Sequence, residues 1–176
     1  KRIDDNTFLY VVNHVNVKKG EFFFIESGTL HAIGKGILLA EIQQNSNTTY
    51  RVYDYNRLGA DGKPRELHTE KALDVTKCEP PKNNCVMPPV VKKDGYDEKH
   101  LTSCELFSVK DVTVNKSYSS VADSNSFVSI LVIDGNGSLI CENETFPLCK
   151  GDSYFISADS GEFKICGNVN LIETRV

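Results

Sequence analysis

Seven short apolar runs crowd between residues 103 and 173, and they constrain the fold of this chain more than any other feature. They are Ser103 to Val109, Val112 to Val114, Phe127 to Ile133, Ser138 to Cys141, Ser153 to Ile156, Glu162 to Ile165 and Asn170 to Glu173. Runs this short and rich in β-branched and aromatic residues read as strands. They lie too close together for the crossover helices that a parallel sheet requires. The expectation is a mainly β domain, a barrel or jelly roll. Asp134-Gly135-Asn136-Gly137, between two apolar runs, predicts a hairpin turn there.

Upstream, the texture differs. Residues 78–98 form a polar, proline-broken connector through Glu79-Pro80-Pro81 and Pro88-Pro89. Before it, residues 3–14 suggest a short helix, and Val15 and Val17 begin a strand-like alternation. Phe22 to Ile25 reads as a buried strand. Ile37 to Gln43 and Thr48 to Tyr55 read as paired strands around Asn45-Ser46-Asn47, and residues 66–75 as a second short helix. One internal match needs no gap: Lys19-Gly20-Glu21-x-x-Phe24-Ile25-x-Ser27 repeats as Lys150-Gly151-Asp152-x-x-Phe155-Ile156-x-Ala158. It implies two related β units, with Glu162 of the second standing where the first has His31.

Composition removes several function classes. A net charge of −4 and a pI near 5.6 give nucleic acid or an anionic membrane nothing to grip. No apolar run approaches the roughly 20 residues of a membrane helix, and no signal-peptide pattern opens the chain. The six cysteines lack C-x-x-C spacing and read as free thiols of a cytoplasmic protein.

Chemistry concentrates in residues 20–57. Ser27-Gly28-Thr29 is a turn that delivers His31, and the strand-like run after it carries Glu41, Gln43, Gln44, Asn45 and Arg51. Such polar groups are costly to bury without partners, which a sugar phosphate would supply. A neutral imidazole is a good zinc ligand, but catalytic zinc takes about three protein ligands, and a histidine satisfied by a backbone carbonyl is the plainer reading. Arg51, in an aromatic run, has the fork to neutralise an enediolate or grip a phosphate; pairing with Asp54 or Glu41 is the equal alternative. Glu41 suits a proton-transfer group or a hydroxyl anchor. His14, His68 and His100 read as surface or helix residues, and Lys35, Lys63 and Arg65 as a source of positive potential. Nucleophile triads and phosphate-cradling glycine loops are absent from the sequence.

Gly28-Thr29-Leu30-His31-Ala32-Ile33-Gly34, Ala40-Glu41-Ile42-Gln43-Gln44-Asn45-Ser46 and Thr49-Tyr50-Arg51-Val52-Tyr53-Asp54 resemble bacterial type I phosphomannose isomerase. Arg65-Glu66-Leu67-His68 with Lys71-Ala72 continues the likeness, which is specific over residues 17–75 and a matter of pattern from about residue 100. The resemblance implies a cupin-type, two-jelly-roll enzyme (a double-stranded β-helix) that interconverts mannose 6-phosphate and fructose 6-phosphate through a cis-enediol. It implies a zinc cofactor with His31 as one metal ligand, Arg51 as the catalytic arginine and Glu41 as a substrate-binding wall residue. Residues 1–77 then form the later part of the metal-bearing cupin domain, 78–98 a connector and 99–176 a C-terminal jelly-roll-like domain without metal ligands. The family's other ligands, a Q-x-H pair and a glutamate, are absent here, and Glu26 replaces the proline usual before the histidine turn. The expectation is a C-terminal portion of the enzyme, inactive alone, whose partners are the hexose 6-phosphate and the missing N-terminal part. Exposed edges predict self-association. The alternative is a noncatalytic cupin-like sugar-binding or regulatory module; a cupin oxygenase would need a facial triad that is absent.

Overall fold

The structure, a computed structural model, describes residues 3, 5, 7–46, 48–79 and 87–176. It divides into two compact units, Lys1–Cys85 and Val86–Val176. The protein is mainly β, as expected, with one α-helix among the described residues.

In the second unit eight strands build an antiparallel sheet: β1 Val91–Lys93, β2 Tyr96–Ser103, β3 Ser108–Val114, β4 Ser117–Ala122, β5 Val128–Cys141, β6 Glu144–Cys149, β7 Ser153–Ile156 and β8 Gly161–Arg175. The long strands β5 and β8 pair along their length, from Ser129↔Thr174 to Cys141↔Phe163. Each changes its outer neighbour midway. The later half of β8 lies against β3, up to Val114↔Val169, and its earlier half against β4, from Ser117↔Cys166. Likewise β7 flanks the start of β5 and β6 its end. The sheet thus folds over on itself. Val112, Val132 and Leu171 from one flap meet Ala122, Leu139, Phe163 and Ile165 from the other in a single buried cluster. This is the jelly-roll arrangement.

The fold line runs through three glycines. Gly135 and Gly167 have φ of 82° and 128°, a region that side chains disfavour. A Cβ on Gly167 would stand 2.6 Å from the Cα of Gly137, and one on Gly135 or Gly137 would collide with the carbonyl oxygen of Asn168 or Cys166. The predicted hairpin at Asp134-Gly135-Asn136-Gly137 therefore does not form. These glycines bend a continuous strand where two backbones touch, a use of strand glycine distinct from turning the chain. A bulge between Val132 and Asp134 also shifts the inward face of β5 from Val128, Ile130 and Val132 to Leu139, which makes one strand look like two in the sequence. The turn between β5 and β6 is Glu142-Asn143, with φ of 49° and 71°, carried by residues that are not glycine.

Other boundaries moved for similar reasons. The run Ser103 to Val109 spans a turn, closed by Cys104 N–H donating to the Phe107 carbonyl at 2.9 Å, and so belongs to two strands. The strands β1 and β2 begin inside the stretch read as connector, and β4, SYSSVA, hides behind its serines. Residues 80–86 of that connector, with Cys85, lie outside the described residues, and the five described cysteines are free. One charged group enters the core. Glu173 is buried and accepts hydrogen bonds from Tyr118 Oη at 2.7 Å and Arg175 Nε at 2.9 Å. The remaining Arg175 nitrogens donate to the Val121 carbonyl and Ser120 Oγ, so the burial is compensated.

The first unit is built otherwise. Its described elements are a 3-10 turn at Phe8–Val11, shorter than the helix expected over 3–14, and the helix α1, Thr69–Val75. The runs 15–17, 22–25, 37–43 and 48–55, expected as strands, form no ladder among the described residues; Asn47, in the expected turn, lies outside them. Strand propensity specifies a half-buried pleat only when a neighbour supplies the second row of hydrogen bonds, and these runs do not pair with one another. Ala72 and Asp54 alone are buried among the unit's described residues, and Leu38 stays 95% exposed.

The repeat is nevertheless real in the backbone. Glu21 N–H donates to the Lys18 carbonyl while the Glu21 carboxylate accepts from Lys18 N–H at 2.8 Å, with Gly20 at φ 87°. Asp152, Cys149 and Gly151 build the same turn, with 2.7 Å and 93°. A second turn matches at the same offset: Thr29 N–H to Glu26 O around Gly28, and Ser160 N–H to Ser157 O around Asp159. Gly36, at φ 79°, then falls on the corner residue Gly167.

Gly167→Ala should cost the second unit about 3 kcal/mol, from positive φ plus backbone collision. Urea unfolding followed by far-UV circular dichroism measures this; a loss below about 1 kcal/mol would mean that the corner yields without strain.

Candidate functional site

The turn that carries His31 is fixed from behind. Gly28, at φ 86°, occupies the position where a type II turn needs glycine, and Thr29 N–H closes the turn on the Glu26 carbonyl at 3.0 Å. A Cβ on Gly28 would meet the Val75 carbonyl oxygen at 2.6 Å, and Lys77 N–H donates to the Gly28 carbonyl at 2.9 Å. The turn therefore sits on the C-terminal end of α1. That end is closed by Thr76, whose N–H and hydroxyl both donate to the Ala72 carbonyl.

The His31 ring is exposed, and its Nδ1 lies 2.9 Å from the Thr29 carbonyl oxygen. A carbonyl only accepts, so this contact puts the proton on Nδ1 and leaves the Nε2 lone pair open. It is the pattern of a ligating histidine whose second nitrogen is held by the backbone, and equally of a histidine satisfied by a carbonyl. No group of three metal-ligating side chains occurs among the described residues. One imidazole does not make a zinc site, so the donors among the described residues do not fit a complete metal centre.

Arg51 is held more tightly than the sequence suggested. Its N–H donates to His68 Nδ1 at 3.2 Å, and its carbonyl accepts from His68 N–H at 2.7 Å. The guanidinium donates from Nη1 to the Glu66 carbonyl at 3.3 Å, while Nε lies 3.9 Å from Asp54 Oδ1. Of the two carboxylates considered as its partner, Asp54 is the one present; Glu41 is exposed. No hydrogen bond or ion pair joins His31, Glu41 and Arg51 to one another.

Asp54 is the centre of this cluster and, at 7% exposure, its buried charge. Arg65 grips it with both arms, Nε to Oδ2 at 2.6 Å and Nη2 to Oδ1, and Arg57 Nη2 donates to Oδ1 at 2.8 Å. The Arg65 hydrogen bonds, opposed by burial and aided by Arg57, hold the Asp54 carboxyl well below the usual range, at about 2. Tyr55 and Asn56, both with positive φ, turn the chain so that Arg57 comes back over Asp54. A small cavity beside the cluster is lined by Tyr53, Asn56, Arg57, Pro64, Arg65 and Leu67, among others. Neither Asp54 nor His68 stood out in the sequence as a site residue. The signal that could have found Asp54 is its place among Arg51, Arg57 and Arg65, which a single carboxylate must hold together.

A carboxyl depressed in the folded state contributes stability above its unfolded pKa of about 4 and loses it as pH falls through its folded value. The first unit should therefore hold its Tyr53–Tyr55 ring contact, 5.0 Å between centroids, to below pH 4 and lose it as pH approaches 2. Ring proton shifts recorded along an acid titration report this, and loss already at pH 5 would contradict it.

Residues 97–176 match the family described as mannose-6-phosphate isomerase, cupin domain. The mannose-6-phosphate isomerase ManA of Bacillus subtilis is 40% identical over 174 residues, covering 94% of this chain and 52% of its own length. The mannose-6-phosphate isomerase of Streptococcus mutans is 32% identical over 166 residues, with the same shares of 94% and 52%. A crystal structure of the Bacillus subtilis mannose 6-phosphate isomerase aligns with a TM-score of 0.67 at 36% identity, over 76% of this chain and 42% of that one. The chain spans about half the length of the curated relatives it matches.

Proposed function

We infer, from a chain that belongs to the mannose-6-phosphate isomerase family, that it is the C-terminal portion of an aldose–ketose isomerase acting on mannose 6-phosphate and fructose 6-phosphate in the cytoplasm. The observation that carries this reading is the pinned Arg51, whose guanidinium is bracketed by Asp54 and the Glu66 carbonyl rather than left to solvent.

In such a reaction the C2 proton moves to C1 while the carbonyl shifts from C1 to C2 and a hydroxyl proton moves from O2 to O1. Removal of the C2 proton gives a cis-enediolate, the ionised form of the cis-enediol, whose oxygens carry extra negative charge. Arg51 is the group in this chain suited to face that charge, since a preorganised cation costs no reorganisation as the charge develops. Glu41, exposed on its run, is assigned to a substrate hydroxyl. His31 is assigned as the one metal donor this chain contributes, through Nε2. Zinc, when bound, would polarise the sugar oxygens as a Lewis acid.

The repeat supports the view that the first unit is part of a larger barrel. At its offset the counterparts of β6, β7 and β8 fall on residues 13–18, 22–25 and 30–44. We place the strands that complete it and the other metal ligands in the half of the isomerase that the match with its relatives leaves uncovered. The exposed Leu38, Ile33 and Ile37 are then the face those strands cover, and the source of self-association in their absence.

A coupled assay for fructose 6-phosphate tests this. The chain alone should be inactive, and co-expression with the preceding half of the Bacillus subtilis enzyme should yield activity. Activity from the chain by itself would refute the assignment as a portion, and sugar binding without turnover in the complemented protein would favour the noncatalytic module. In the active complex, His31→Ala should remove the bound zinc measured by elemental analysis; full zinc retention would take His31 out of the ligand set.

A further inference from the structure

Three guanidiniums and one carboxylate make a lopsided cluster. A buried Asp54 held only for stability would need one arginine, and Arg65 already satisfies both of its oxygens. Arg57 adds a third contact at 2.8 Å, and the carboxylate cannot rotate while these hold. Its Oδ1 is thereby fixed on the side facing Arg51 Nε, 3.9 Å away. Behind Arg51, the backbone is clamped in both directions by His68, and Nη1 is tied to the Glu66 carbonyl. The guanidinium of a free arginine samples many rotamers; this one is restrained from two sides, by the Glu66 carbonyl and by Asp54.

We propose that Asp54, locked by Arg65 and Arg57, is a positioning residue for Arg51: it sets the guanidinium orientation that meets the charged sugar oxygens. This rests on the isomerase reading above, in which Arg51 faces the enediol. The physical case is that electrostatic stabilisation depends on where the cation is held before charge develops, and an outer partner that fixes a charged group typically carries a tenfold to hundredfold effect. Asp54 touches no substrate in this scheme and acts through Arg51. His68 shares the task from the backbone side, and its helix α1 ties the clamp to the turn of His31 through Gly28.

A double-mutant cycle in the complemented enzyme separates positioning from mere stability. Arg51→Ala should lower kcat by about a hundredfold or more, the scale of losing one electrostatic stabiliser. Asp54→Asn should lower kcat about tenfold with KM changed little, and should have no further effect once Arg51 is alanine. Independent, multiplying losses in the double mutant would overturn the positioning role. An Arg51→Ala enzyme as active as the parent would instead overturn the isomerase role of Arg51, so the two failures are distinct. Should Asp54→Asn not fold, Arg65→Lys, which keeps the charge and loses the two-armed grip, serves in its place: a loss of kcat that vanishes in the Arg51→Ala background supports the proposal, and one that persists sinks it.

Discussion

The ladder between β5 and β8, from Ser129↔Thr174 to Cys141↔Phe163, is what the second unit depends on. Every other strand except β1 and β2 pairs directly with one of these two. Because both strands bend together at Gly135, Gly137 and Gly167, one ladder serves two flaps and the core forms between them. The bend in turn requires two backbones to approach within the radius of a methyl group. Side-chain packing cannot be improved to compensate for a Cβ placed there, so the glycines are set by geometry and not by propensity.

The first unit shows the same sequence logic without such a ladder. Its two turns copy those of the second unit hydrogen bond for hydrogen bond, and Gly36, at the register position of Gly167, shares its positive φ without its close backbone contact. What local sequence can specify by itself, a capped turn or a positive φ, is present in both. What requires a partner strand is present only in the second. Turns close over four residues at little entropic cost, whereas a strand gains its hydrogen bonds from sequence-distant residues. Its organisation in this chain rests on α1 and on the cluster around Asp54.

This distinction also explains which elements could be read directly. The β7 strand, Ser153–Ile156, and the presence of a helix near residues 66–75 were legible, because each depends on a short contiguous pattern. The bulge after Val132, the serine-rich β4 and the continuity of β5 through four turn-forming residues were not, because their meaning depends on what lies across the ladder. At the candidate site the histidine turn and Arg51 were visible as residue types. The identity of Arg51's carboxylate was not, since Asp54 and Glu41 are equally plausible by spacing and only the fold selects Asp54. His68 looked like an ordinary helix residue; its role as a backbone clamp uses an N–H and a ring nitrogen that no motif records.

The repeat also limits what may be carried from one unit to the other. In register, His31 stands at Glu162, which is exposed on β8 beside the buried Phe163. Carried over literally, that register would turn His31 away from a barrel interior. The residue before it differs between the units. Gly161 has φ of 79°, whereas its counterpart Leu30 is not among the residues with positive φ. The backbones of the two units therefore differ at the residue just past the shared turn. A glycine takes the left-handed region freely, whereas a leucine would incur a steric cost there and stays out of it. The register of the second unit therefore does not by itself fix the face on which His31 lies.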